Sequence, residues 1–368
     1  MFGAVGAASS VLKRNQARDP KVTIPKKMCN EPLLISEFQY TGNQRLGRAQ
    51  TSIIPSMSPY RYYPLSLYFK RRFGQRVRKI PLDAGSSCPN RDGTLSQSGC
   101  TFCNQNGSGT GLAETGMSLR RQYLLYRERS RDRDTGTRFL GYLQSFSNTH
   151  GPASRIQAML SELTDLPDFA GLAIGTRPDC LDEEKLDILQ NADFEELWLD
   201  LGLQSSHDHT LRRINRGHDA ACFAHWTQRA AQRGIKVCAH VITGLPGENV
   251  ADFEQTILFV NSLPVAGIKI HNLYISQNTP LAASWHAGAL DLLTREQSLD
   301  WLVRGIMRLR PDIIIHRLNS DPSQDELLAP SWAHEKTAFL NAVKERLHEM
   351  DAWQGKALGL RLPEWINH

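Results

Sequence analysis

From residue 77 to residue 275 the chain repeats one pattern. A strand-length apolar run is followed by a stretch with helical periodicity, and then by another apolar run. The predicted strands are residues 77–82, 139–146, 171–176, 196–203, 235–243 and 268–275. The predicted helices between them include residues 118–132, 154–163, 182–190, 220–233 and 252–263. Such alternation builds βα units, whose strands lie parallel in a sheet or barrel because each helix carries the chain back to the same end. In these folds the loops after the strands converge at one rim. The distinctive short motifs of the chain fall there: a three-cysteine loop after the first strand, TRPDC (176–180) after the third, GLQSS (202–206) ending the fourth and GLPGE (244–248) ending the fifth.

The flanks read differently. Residues 1–56 have no clear period, with scattered Gly, Pro, Gln and Asn, and are expected to be a disordered basic extension. Met57 is an alternative start. The core is expected to span residues 57–320, opened by a short helix after Pro64 that stops at Gly74. Residues 312–318 are expected to add an edge strand. The tail from residue 321 reads as a helical extension, helical from Leu327 through Met350.

Charge and cysteine usage narrow the class. Residues 1–80 carry 15 Lys/Arg against 3 Asp/Glu, which leaves the remaining 288 residues at −7 within a chain of net +5. A basic front end on an acidic body is a candidate contact for a polyanion. The other reading of TyrTyr (62–63) with LysArgArg (70–72) is an amphipathic helix that seals the bottom of a barrel. No apolar run is long enough to span a membrane, and the first residues lack the basic start of a secretory signal. Seven unevenly spaced cysteines do not form a secreted disulfide framework, so a reducing cytoplasm and a metal site fit better.

The stretch CPNRDGTLSQSGCTFCN (88–104) places Cys88, Cys100 and Cys103 in one Gly/Ser/Asn-rich loop, separated by eleven and then two residues. Thiolates are soft ligands that select zinc, Cu(I) or iron–sulfur iron. A structural zinc wants four ligands, and residues 89–102 hold no histidine, so a distant one would have to complete it. Three cysteines on a 4Fe–4S cluster would leave one iron open to a small molecule. The loop alone leaves both readings standing.

The wider set of motifs resembles the radical S-adenosylmethionine (SAM) superfamily, and within it the YhcC/YtqA-like family, relatives of the radical SAM domain of the Elongator catalytic subunit. The residues that carry the resemblance are GSSCPNRDGT (85–94), GCTFCNQNGSG (99–109), GTRPDC (175–180), LGLQS (201–205), INRGHD (214–219), VCAH (237–240), GLPGE (244–248), GIKIHNLYI (267–275) and IHR (315–317). They occur in the family's order over roughly residues 61–318. The eleven-residue gap also fits this branch, since the common spacing in the superfamily puts three residues between the first two cysteines.

The resemblance implies a partial (βα)6 TIM-like barrel holding a 4Fe–4S cluster on Cys88, Cys100 and Cys103, with SAM on the open iron. One electron, from a donor such as flavodoxin or ferredoxin, would cleave SAM to a 5′-deoxyadenosyl radical that takes a hydrogen from substrate. Phe102 matches the aromatic position beside the adenine, and Gln204 a position near the ribose or methionine. Arg216 matches a partner of the SAM carboxylate, His240 lies on the fifth strand, and Leu245 to Gly247 turn beneath the adenine. Two departures stand out. SFSNT (145–149) replaces the Gly-rich stretch with which relatives hold the SAM amino group. Gly175 replaces a carboxylate for the ribose, which Asp179 or Asp200 could supply.

For the substrate, the Elongator kinship and the basic front end imply tRNA, at the side chain of a wobble uridine. A small metabolite or protein side chain is the second possibility, and a zinc-stabilised nucleic-acid-binding module without chemistry the third. The chain leaves no room for an acetyltransferase domain, so the full Elongator reaction is not expected. Cys180, Cys222 and Cys238 read as packing residues, the Arg-rich helix 120–133 as a solvated face, and GLPGE as no phosphate loop.

Overall fold

The computed structural model describes residues 60–104, 107, 112–131 and 136–367. The expected disorder of residues 1–56 lies outside them. Nine strands occur in the described residues: β1 (Val77–Leu82), β2 (Arg138–Leu143), β3 (Phe169–Thr176), β4 (Leu197–Gln204), β5 (Lys236–Thr243), β6 (Gly267–Asn272), β7 (Ile275–Ser276), β8 (Ile314–Arg317) and β9 (Leu327–Ala329). Seven form one sheet in the order β1-β2-β3-β4-β5-β6-β8, parallel throughout. The sheet curls into a partial barrel, the expected architecture with the edge strand as its seventh member. β7 and β9 pair antiparallel as a separate ribbon.

Ten α-helices accompany them: α1 (Leu65–Phe73), α2 (Leu119–Arg131), α3 (Ala153–Ser161), α4 (Glu183–Gln190), α5 (Asp208–Arg213), α6 (Ala220–Gln232), α7 (Val250–Asn261), α8 (Pro280–His286), α9 (Arg295–Arg308) and α10 (Lys336–Glu349). No helix among the described residues is long and apolar enough to cross a membrane.

The two-residue period of each strand separates the outside of the sheet from its inside. On β4, Leu199, Leu201 and Leu203 face the outer helices and join the main core with Ile156, Phe223, Ile257 and Ile306. The residues between them, Trp198, Asp200, Gly202 and Gln204, form the inward row. Trp198 sits at the bottom with Phe69, Leu140, Ala173, Cys238 and Ile314. Phe69 comes from α1, so α1 packs against the bottom of the barrel, while Lys70, Arg71 and Arg72 on it stay exposed. Gly74 ends α1 at φ +69°, a left-handed cap that glycine takes without strain. Tyr68 and Trp198 donate hydrogen bonds to the buried Glu196 carboxylate at 2.8 and 2.6 Å, and Lys236 pairs with it at 2.9 Å. Tyr63 stacks on Trp365 rather than facing solvent.

Two expectations for the tail need correction. Leu327–Ala329 is a strand, and the helix begins only at Lys336. Pro330 is the reason, because a residue before proline is driven out of the α region. α9 was not foreseen, although Thr294 and Gln297 form a reciprocal capping box at its start. Phe339, Val343 and Leu347 of α10 pack into the same core as the sheet and α9.

Candidate active site

The loop after β1 folds back on itself before it reaches the rim. The Cys88 carbonyl accepts from Arg91 N at 2.8 Å and Asp92 N at 3.0 Å, and Asn90 O accepts from Gly99 N at 2.7 Å. Arg91 Nη2 donates to Cys103 O at 2.8 Å. Asn215 Nδ2 donates to Gly99 O at 2.7 Å, and Thr101 N to Ile214 O at 3.0 Å, which ties the loop to the segment after α5. Cys88, Cys100 and Cys103 thereby line one cavity of about 220 Å³ inside the upper barrel.

Among the described residues, the donors that lie within 4.8 Å of one another are those of Asp200, Cys238 and His240, below the loop. Polar donors already face one sulfur: Arg216 Nη1 and Asn90 Nδ2 each lie 3.6 Å from Cys100 Sγ. Burial pushes the Cys100 thiol up, but the Arg216 and Arg177 guanidiniums outweigh it and hold the group below its ordinary value. Cys103 is raised, by burial first and then by the neighbouring Cys100 thiol, against the pull of Arg91.

Of the other residues singled out in the sequence, Phe102, Gln204, Arg216 and His240 line the same cavity. Gln204 holds φ +75° where the β4–β5 register shifts, an unusual backbone for a side chain of its size. Arg216 lies across Gly202, donating from Nη2 to Gly202 O at 2.8 Å. A Cβ at position 202 would sit 2.2 Å from that nitrogen, so only glycine permits the approach. Arg216 Nε is buried without a hydrogen-bond partner. Leu245 is the exception. It is 1% exposed in an apolar cluster with Ile214, Ile242 and Leu281, against which Phe102 packs, and it does not line the cavity.

The doubtful positions also find places. Phe146 and Ser147 line the cavity, and Phe146 adopts φ +53°. Asn148 is fully engaged, with Nδ2 reaching the carbonyls of Leu143, Ser145 and Gly175. Asp179 is taken by Arg177 in a bidentate pair at 2.9 and 2.8 Å. Asp200 does line the cavity. Cys222 is buried in the outer core, and Cys238 in the barrel floor.

Below the loop the barrel interior is a buried polar layer. Lys269 Nζ contacts Asp200 Oδ2 at 2.5 Å and donates to the Tyr142 hydroxyl at 2.8 Å. Lys79 Nζ lies 3.4 Å from His316 Nδ1, and His240 Nε2 lies 3.4 Å from Asp200 Oδ2. Burial pushes the Asp200 carboxyl up, but the Lys269 and Lys79 ammonium groups hold it well below the usual carboxylate range. Burial and the Lys269 charge bring His240 down to about 4, and burial holds His271 and His316 well below their ordinary value. Sequence reasoning missed Tyr142 and Lys269. The signal was present: Lys269 and His271 stand two apart in GIKIHN, polar residues on the inward face of a strand otherwise apolar.

These depressed imidazoles fix the sign of a pH effect. An unfolded histidine takes its proton near pH 6.5, and His240 in the fold only at about 4. Between those values the unfolded chain binds more protons, so stability falls as pH drops through the window. The melting midpoint is expected to decline steadily from pH 7 to 4.5, and a His240→Asn protein to decline less. A flat profile would count against buried neutral imidazoles.

Comparison with known proteins agrees with this geometry. Residues 88–260 match the radical SAM superfamily model, and residues 265–349 the radical SAM C-terminal domain. This chain belongs to the radical SAM superfamily, in its YhcC/YtqA-like branch, and is an enzyme of that class. It is 40% identical to the protein YhcC of Escherichia coli K12 over 291 residues, 78% of this chain and 93% of that one. It is 34% identical to YtqA of Bacillus subtilis 168 over 299 residues, 80% and 92% of the two chains. Among solved structures, the archaeal Methanocaldococcus infernus Elp3 shares the fold with a TM-score of 0.60 at 14% identity, over 76% of this chain and 64% of that one. The cofactors of the superfamily are a 4Fe–4S cluster and SAM.

Proposed function

We propose that Cys88, Cys100 and Cys103 ligate the cluster, that Arg216, Gln204, Phe102 and His240 hold SAM, and that the substrate is tRNA, at a wobble uridine side chain. When bound and reduced by a flavodoxin- or ferredoxin-like donor, the cluster supplies the electron that cleaves SAM to the 5′-deoxyadenosyl radical. The observation that carries the assignment is the convergence of the three thiols and Arg216 on one cavity at the carboxyl ends of the strands. Arg216 presents a buried guanidinium with one unsatisfied nitrogen, the donor type that pairs with a carboxylate. Phe102 offers a ring backed by the apolar cluster that contains Leu245, so Leu245 supports the adenine wall from behind. The upper barrel walls exclude water from the reacting atoms. The enzyme works in the cytoplasm, where its thiols stay reduced.

Support for tRNA comes from the Elongator-like order of motifs and from the +12 excess of residues 1–80. With about six phosphate contacts, affinity for tRNA should fall roughly a thousandfold between 50 and 200 mM salt. A flat salt dependence would sink the tRNA reading. In cells lacking the gene, one modified uridine should disappear from bulk tRNA or stop at a precursor. The second reading, a small metabolite or protein side chain, is favoured by the −7 charge of the barrel and its tail, and predicts an unchanged nucleoside profile.

A further inference from the structure

The motifs GIKIHN and IHR are not used by the cluster or SAM assignments, yet they bring Lys269, His271 and Arg317 into the cavity wall. The three come from neighbouring strands. A register shift in the β6–β8 pairing sets Arg317 opposite Lys269, so an ammonium and a guanidinium stand side by side on the inner face. Like charges opposite one another in a sheet are destabilising. Compensation is incomplete. Asp200 pairs with Lys269, and Lys79 adds a further buried amine below. Arg317 is half-buried and has no carboxylate within ion-pair distance among the described residues, and a guanidinium keeps its charge. His271 stands beside this pair and also lines the cavity. The wall therefore carries a positive charge that no carboxylate pairs with at Arg317 among the described residues.

We propose that Arg317, Lys269 and His271 form an anion subsite that takes a carboxylate or phosphate of the substrate. A planar guanidinium matches the two oxygens of such a group, and a neutral imidazole can donate a third hydrogen bond. The subsite is distinct from Arg216, which donates to Gly202 O, faces Cys100 Sγ and is assigned to SAM. The inference rests on the radical SAM reading of the cavity and narrows its substrate to one with an acidic group near the reacting position. For tRNA that group is either a side-chain carboxylate on the base or a backbone phosphate.

The test uses the full, anaerobically reconstituted protein, without SAM or RNA in the anion titrations and with SAM titrated separately. Inorganic phosphate and acetate are titrated separately at constant ionic strength, balanced with chloride, and the melting midpoint is followed. One of the two should stabilise the protein saturably in the millimolar range, and the stronger arm names the source. Arg317→Gln should weaken that binding at least tenfold, and Arg317→Lys, which keeps the charge but not the fork, should fall between. Without anion, Arg317→Gln should melt no lower than the parent, because it relieves the like-charge pair. The proposal is overturned by any of four results. These are wild-type protein that binds neither anion saturably, a Gln variant with the parental binding curve, a Gln variant that melts well below the parent, and a Gln variant that loses SAM affinity by the same factor as anion affinity. The nucleoside comparison can fail while this assay succeeds, so the tRNA reading and the subsite are separately exposed.

Discussion

Anaerobically reconstituted Cys100→Ala protein is expected to yield no 5′-deoxyadenosine from SAM and reductant, a loss of more than about a thousandfold, or some 4 kcal/mol in barrier terms. Cys100 is the buried member of the three thiols, at 5% exposure, and Arg216 and Asn90 both face its sulfur. On the proposed assignment, its removal would leave two ligands for the cluster, and a buried guanidinium and amide facing an empty wall. Brown colour should be lost together with cleavage. Cys222→Ala is the matched control. That side chain is equally buried, but among the apolar residues of the outer core, so its truncation should cost about 1 kcal/mol and leave colour and cleavage intact. Retained cleavage in a Cys103→Ala protein would remove the assignment of the loop as the cluster site.

The fold was legible because its evidence is local and repeated. Strands buried on both faces read as apolar runs, and the boundaries of β1, β3 and β4 fall within two residues of those expected. The N-terminal helix was readable from Pro64 and Gly74 alone. What escaped was set by tertiary pairing. β7 and β9 are too short to show a period, and only their mutual hydrogen bonds define them. The cavity wall divides in the same way. Cys88, Cys100 and Cys103 announce themselves by type and spacing, whereas Tyr142 and Arg317 are single polar residues on different strands. Their partnership with Lys269 depends on strand order and on one register shift, neither of which the chain states locally. Leu245 shows how a motif's position along the chain leaves its side chain's direction open. A motif can be placed at the right strand end and still point behind the wall rather than into it.

Asp200→Asn is expected to lower stability by about 3–5 kcal/mol, the usual loss when one partner of a buried ion pair is removed. The carboxylate is fully buried, and it is the sole ion-pair partner of Lys269 among the described residues. Asparagine keeps the shape but leaves the ammonium uncompensated beside Lys79 and Arg317. If that account holds, Asp200→Asn combined with Lys269→Met should recover much of the loss, since an uncharged pair of similar volume avoids the desolvation penalty of both charges. The pH response of the single variant gives an independent check. An unpaired buried lysine has its folded pKa driven below the unfolded value near 10.4. Between the two values the unfolded chain binds more protons, so the stability of Asp200→Asn should rise more steeply with pH from 7 to 9 than that of the parent, in which burial already holds Lys79 below its ordinary value. Thermal melts of the parent, single and double variants at both pH values read all of this. A single variant as stable as the parent, or a double variant that melts no higher than the single, would show that Asp200 does not balance the charge of the barrel interior.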